Sequence, residues 1–211
     1  MTGGPQVRII RTRERILAAA VDLFLENGFH GTNIDSIAAR SRSSKQTIYK
    51  YFDDKNEILD HSIERLRDEF AEYSPIINLD SPNISAELSR FGLYYLENIL
   101  KERQVKTFRL CVEMARKNST LAASFSKMES ENIQTVLVKY IQHLFSKGLI
   151  LLHEDPEFMA QAFLGLVRGN FQFFRAVDED FLPTQQELHN HVERATQLFC
   201  GALEFPAEQL G

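Results

Sequence analysis

Apolar residues recur along this chain at intervals of three and four, the spacing of one helical face, and not at the interval of two that marks a strand. Ile16, Ala20, Leu23 and Phe24 draw such a face across 13–26, and Asn27-Gly28 supplies a stop. Thr32 reads as the N-cap of a second helix, with Asp35 three residues on in a capping-box-like pair and Ile34, Ile37 and Ala38 turned inward. After Ser41, Arg42 and Ser43, a third helix is predicted from Ser44 to near Phe52. A fourth starts at Asp54, with Glu57 at its third position and Ile58, Leu59, Ile63 and Leu66 along one side. Residues 73–82 read as a loop. Beyond it the same periodicity predicts helices over 84–100, 105–117, 121–147, 156–177 and 186–203, the fourth of these announced by Asp155 before Pro156. The expected fold class is all-α.

Composition narrows what such a chain does. With 211 residues, 44% hydrophobic and 25% charged, it has material for a sizeable core and is too apolar to be disordered over most of its length. No apolar run approaches the roughly 20 residues of a membrane helix, and no apolar segment follows the basic N-terminus as a secretory signal requires. No membrane partner is expected, and the expected location is the cytoplasm, at the nucleoid. Cys111 and Cys200 are too few for a disulfide framework or a zinc site and read as reduced, buried thiols. No catalytic set, metal site or cofactor loop stands out, and His153-Glu154-Asp155 is better explained as a helix start. Catalysis is therefore not expected.

The net charge of −5 conceals an asymmetry. Residues 1–52 hold eight basic and four acidic side chains, whereas 53–211 hold 16 and 25. A basic end on an acidic body suits contact with a polyanion at one end only.

That basic end contains two short predicted helices, 32–40 and 44–52, joined by three residues, the dimensions of a helix-turn-helix. In the second, Ile48 and Phe52 sit four apart and can anchor it, while Lys45, Gln46, Thr47, Tyr49, Lys50 and Tyr51 cover the remaining circumference. A small solvated helix with some aromatic packing would satisfy this pattern. A recognition helix satisfies it too, with its first side chains at base edges and Tyr and Lys on phosphates.

The runs Phe24-Leu25-Glu26-Asn27-Gly28-Phe29-His30-Gly31-Thr32, Ile37-Ala38-Ala39-Arg40, Ser44-Lys45-Gln46-Thr47-Ile48-Tyr49-Lys50-Tyr51-Phe52 and Asp54-Lys55-Asn56-Glu57-Ile58-Leu59 together resemble the DNA-binding signature of the tetracycline-repressor (TetR) family. The resemblance implies a three-helix bundle with a helix-turn-helix over 11–55, preceded by a flexible basic arm over 1–10 and followed by a larger helical ligand-binding and dimerisation domain over 56–211. It places Ser44, Lys45, Gln46 and Thr47 at the major groove, with Gln46 the first choice for reading a base. Tyr49, Lys50 and Tyr51 follow on the same helix. Tyr49, Lys55 and Thr32 match positions that meet phosphate. Many relatives have Gly-Val where this chain has Arg42-Ser43. Either the turn differs, or Arg42 takes a left-handed conformation at a cost of about 1 kcal/mol and adds a phosphate contact; the second is preferred.

The rest of the resemblance concerns symmetry and input. Leu188, Val192, Ala195, Phe199 and Ala202 recur in an a/d-like pattern, and Phe163, Val167, Phe171 and Phe174 form a stripe with Gly165 and Gly169 four apart. Such stripes are more often core than interface. The resemblance implies a homodimer held by a four-helix bundle, which makes Gly165, Gly169, Phe171, Phe174, Val192, Ala195, Phe199 and Ala202 the expected interface. It also implies an effector cavity, for which Phe91, Tyr95, Phe108, Cys111, Met114, Phe163 and Val167 are candidates, receiving an apolar or amphipathic small molecule. The expected function is ligand-responsive regulation, most simply repression, through a palindromic operator in double-stranded DNA. A helical protein-interaction module that binds no specific DNA is the competing reading.

Overall fold

The computed structural model describes residues 5–71, 76–115, 133–151 and 154–203, and their regular secondary structure is helical. Among the described residues there are ten helices: α1 (Pro5–Gly31), α2 (Ile34–Arg40), α3 (Lys45–Tyr49), α4 (Lys55–Ala71), α5 (Ile84–Ile99), α6 (Glu102–Ala115), α7 (Ile133–Ser146), α8 (Pro156–Arg168), α9 (Phe171–Val177) and α10 (Gln185–Ala202). They divide into two compact units, and the border falls within α6: residues through Val105 belong to the second unit, and those from Lys106 to the first.

The first unit comprises α1 to α4 and the C-terminal part of α6. Its core is the set of apolar positions that the periodicity marks, Ile16, Ala20, Leu23, Phe24, Ile37, Ile48, Phe52, Ile58, Leu59, Ile63 and Leu66, all buried, with Leu110, Cys111 and Met114 of α6 added. This differs from the expected boundary at 55/56. Ile58, Leu59, Ile63 and Leu66 of α4 and Leu110, Cys111 and Met114 of α6 are buried in this same core, so both join the N-terminal bundle. The arm expected to be flexible is helical from Pro5, where proline suits a first helical position and no breaker intervenes before Gly28. At Gly28 the helix is interrupted, with φ 70 and ψ 173, a left-handed conformation that glycine adopts freely.

The second unit packs α5, α7, α8 and α10 around Phe91, Tyr95, Leu137, Tyr140, Phe163, Val167, Val192 and Phe199. Helix α5 passes closest to its neighbours at Gly92, where a Cβ would lie 3.1 Å from both Val167 Cγ2 and Val192 Cγ1. The predicted helix over 156–177 is in fact two. Gly169, at φ 48, ends α8, and the chain restarts at Phe171 as α9. Asp155 caps α8 as predicted, its carboxylate accepting from the Phe158 N–H at 2.8 Å. The 121–132 part of the predicted helix over 121–147 lies outside the described residues.

Candidate nucleic-acid interface

Helix α3 is only five residues long and relies on its anchors. Ile48 is 0% exposed and Phe52, just past its end, 2%. With these beneath, Lys45, Gln46, Tyr49 and Lys50 are exposed on the outer side, Tyr49 at 52%. Tyr51 is half-buried and packs against the core of the first unit. Ser44 caps the helix: its Oγ accepts from the Thr47 N–H at 3.1 Å and lies 2.8 Å from Thr47 Oγ1. These two hydroxyls set the start of α3, and Thr47 is accordingly half-buried.

The turn before α3 is closed by backbone bonds from Ser41, Arg42 and Ser43 back to Ile37, Ala39 and Ala38 at 2.9, 3.2 and 2.9 Å. Arg42 has φ 49, so the chain keeps the left-handed geometry with an arginine in it and its side chain exposed. Across the turn, Lys45 Nζ lies 2.7 Å from Asp35 of α2. The Asp35 carboxylate holds the Lys45 ammonium above the ordinary lysine range. Arg40 forks onto Glu26 at 3.1 and 2.7 Å, tying α2 to α1. Both pairs are exposed, so each fixes direction more than it stabilises.

Two expected phosphate ligands turn inward. Thr32 is 1% exposed, and its hydroxyl donates to the carbonyls of Leu23 and Gly28 at 3.0 and 2.9 Å. Thr32 thereby ties the link after α1 back to the helix on either side of the break at Gly28. The N-cap of α2 is therefore Asn33, whose Oδ1 accepts from the Ser36 N–H at 2.8 Å while Ser36 Oγ accepts from the Asn33 N–H at 3.3 Å. The capping box is displaced by one residue from the expected Thr32 and Asp35. Lys55 is half-buried, with Nζ donating to the carbonyls of Phe29 and Thr32 at 2.9 and 2.8 Å and lying 4.2 Å from the Phe29 ring centroid. The frayed end of α1 presents negative carbonyl dipoles, and the ammonium answers them.

Bacterial regulatory proteins of the tetR family match residues 16–61, and the C-terminal domain of AefR-like transcriptional repressors matches 86–203, more than half the chain. The chain belongs to the TetR family of transcriptional regulators. Among TetR relatives, an uncharacterized HTH-type transcriptional regulator of Bacillus subtilis, YdeS, is 46% identical over 48 residues, 23% of this chain and 24% of that protein. The chain thus spans about a quarter of the length of that relative. A crystal structure described as a TetR-family regulator from Mesorhizobium loti superposes with a TM-score of 0.81 at 21% identity, covering 93% of this chain and 98% of the other. The flavonoid-responsive regulator FrrA gives 0.76 at 25% identity, covering 92% and 97%. TetR proteins are regulators of transcription rather than enzymes, as the absence of a catalytic set in the sequence led one to expect. Among the described residues no helix is long and apolar enough to cross a membrane, and no group of three His, Cys, Asp or Glu is placed to hold a metal.

The effector candidates drawn from TetR resemblance do not share one place. Phe91, Tyr95, Phe163 and Val167 lie in the core of the second unit, all but fully buried. Cys111 and Met114 belong to the core of the first unit, because α6 carries them past the border, and Phe108 of the same helix is half-buried. Burial pushes the Cys111 thiol up to about 12, so it packs as a small apolar group.

The expected TetR dimer residues separate in a similar way. Val192, Ala195 and Phe199 point into the chain's own core, Phe199 against Phe163 with ring centroids 5.1 Å apart. The a/d-like pattern is therefore the inner face of α10, and an interface has to use its outer face. Gly165, Gly169, Phe174 and Ala202 are exposed and Phe171 is half-buried. Nothing lies within 4 Å of a Cβ built on Gly165, whereas one on Gly169 would meet the His191 ring at 3.0 Å. The sequence reading missed the exposed apolar residues beside them. Leu151, Phe158 and Leu166, with Leu198 and Ala202 of α10, border a groove of about 230 Å³. A second helical phase on α8 and α10, offset from the core phase, was the available signal.

Proposed function

We propose that this chain is a dimeric repressor acting in the cytoplasm at the nucleoid, where it binds a palindromic operator in double-stranded DNA and is released by an apolar or amphipathic small molecule. The observation that carries this reading is α3: two buried anchors, and an outer side made of Lys45, Gln46, Tyr49 and Lys50 with Arg42 in the adjoining turn. Gln46, exposed on the first turn, takes the base-reading role, and Lys45 joins it by exchanging Asp35 for the DNA. Ser44 and Thr47 support the start of the helix and offer their hydroxyls at the same edge. Tyr49, Lys50 and Arg42 meet the backbone.

Dimerisation is supported by the apolar groove between α8 and α10, whose Phe158, Leu166 and Leu198 are exposed among the described residues. Gly165 and Ala202 leave room for a second copy's helices, whereas Gly169 is backed by the His191 ring and Phe171 and Phe174 line a separate groove with Phe181. Release by an effector is supported by the second unit's core. Asn98 Oδ1, Tyr140 Oη and Thr196 Oγ1 are buried there without a hydrogen-bond partner among the described residues. An amphipathic molecule entering between Phe91, Tyr95, Phe163 and Val167 would give such atoms a partner while replacing apolar contacts. FrrA, described as flavonoid-responsive, answers to a ligand of that general character.

Selection of bound duplexes from random DNA tests the reading. A two-fold symmetric sequence is expected, and Gln46→Ala is expected to relax preference at one position per half-site by about 1–3 kcal/mol. Recovery of no preferred sequence by the dimer would overturn it.

A further inference from the structure

Six arginines described on α1, α2, the turn and α4 fall into two groups. Arg13 lies over the Phe52 ring at 5.3 Å, Arg40 forks onto Glu26, and Arg65 pairs with Glu14 at 2.7 Å and Glu69 at 3.5 Å. Arg11, Arg15 and Arg42 are exposed and face no carboxylate at ion-pair distance among the described residues. The second group is contiguous. Arg15 Nη2 donates to Ser43 Oγ at 3.4 Å, which sets α1 beside the turn, and Arg42 is the next residue back in that turn. Arg11 precedes Arg15 by four residues on α1 and so shares its face. The nearby acids are already engaged, Glu14 by Arg65, Glu26 by Arg40 and Asp35 by Lys45.

We propose that Arg11, Arg15 and Arg42 form a second binding stripe, running from the turn along α1, that grips the sugar-phosphate backbone of the operator duplex beside the recognition helix. Three like charges held together in water gain nothing from one another, and a guanidinium fork matches phosphate oxygens two at a time. The stripe carries no base preference, because nothing in it is a base-reading geometry of α3. It supplies backbone anchoring that the family resemblance gave to Thr32 and Lys55, both of which this chain uses on its own carbonyls.

The inference rests on the operator-binding reading, and one experiment separates the two. Binding of the full chain to a selected duplex is titrated at several salt concentrations, for the parent, Arg11→Gln/Arg15→Gln and Arg11→Lys/Arg15→Lys. Glutamine keeps helix propensity at these exposed positions, so the fold is retained. The glutamine variant is expected to flatten the slope of log K against log salt by about 3.6 for the dimer, two contacts in each subunit at about 0.9 each. Between 50 and 200 mM salt that makes its loss of affinity roughly a hundredfold smaller than the parent's, from a weaker starting point. The lysine variant is expected to keep the parental slope, and preference over a scrambled duplex to stay unchanged in both. A parental slope in the glutamine variant overturns the stripe and leaves operator binding standing. A parent that ignores every duplex at low salt overturns both.

Discussion

Helix α3 and the outer face of α8 and α10 are built on the same plan with opposite contents. Each buries an apolar row in its own unit, Ile48 and Phe52 in one case, Phe163, Val167, Val192 and Phe199 in the other. Outward, α3 presents polar and cationic side chains, whereas α8 and α10 present Phe158 and Leu198, 53% and 67% exposed. A surface that is cationic and hydrogen-bonding suits a polyanion; one that repeats the composition of a core suits another surface like itself. The difference separates what each face recognises from what holds it in place.

The apolar face can be broken without touching the fold, because its side chains are exposed in the single chain. Phe158→Glu with Leu198→Glu is expected to leave a monomer by light scattering at unchanged helix content. With one recognition helix per molecule, operator affinity is expected to fall about a thousandfold, since the second half-site no longer binds as an intramolecular event. A folded double variant that stays dimeric would move the interface elsewhere. Next in size, Ile48→Ala removes an anchor of a five-residue helix that cannot stand alone, and is expected to cost about 3 kcal/mol in chemical denaturation. Operator binding should be lost with it, whereas subunit mass should stay that of the parent.

How much of this was legible in the sequence follows the same division. The inner row of the first unit was, because apolar spacing reports burial directly: Ile16 through Leu66 are where the periodicity put them, whereas Val192 and Phe199, expected at the interface, are core. What the rows pack against was not. Cys111 and Met114 look like pocket residues until α6 is seen to cross into the first unit, and the break at Gly169 hides in a run that is periodic on both sides. Among site residues, the exposed side of α3 was readable from two anchors four apart. The inward turn of Thr32 and Lys55 was not, because it depends on carbonyls around a kink at Gly28, 27 residues before Lys55 in sequence.

Lys55 sharpens the comparison between holding and recognising. Its ammonium bridges the end of α1 to the start of α2, so Lys55→Met is expected to lower stability by about 2 kcal/mol, the scale of a charge-assisted hydrogen bond lost in a partly buried site. Operator affinity should fall as the helix-turn-helix loosens, with the salt slope unchanged. A slope reduced by about 1.8, one contact in each subunit of the dimer, with unchanged stability would instead mean that the lysine leaves its carbonyls for a phosphate in the complex.

The smallest effect comes from Arg42, where holding and recognising pull in opposite directions at one residue. At φ 49 its backbone is strained as a glycine's would not be, and its side chain makes no ion pair among the described residues that would compensate. Arg42→Gly is therefore expected to raise stability by up to about 1 kcal/mol, a rise of a few degrees in the thermal midpoint. The same change removes a guanidinium from the turn of each subunit, so binding to every duplex should weaken while the dimer's salt slope falls by about 1.8. A chain more stable and less tightly bound shows that the strain is kept for the contact. If Arg42→Gly gained stability with no loss of DNA affinity, the arginine would be a tolerated cost of the turn, and α3 with Arg11 and Arg15 would carry the backbone contacts without it.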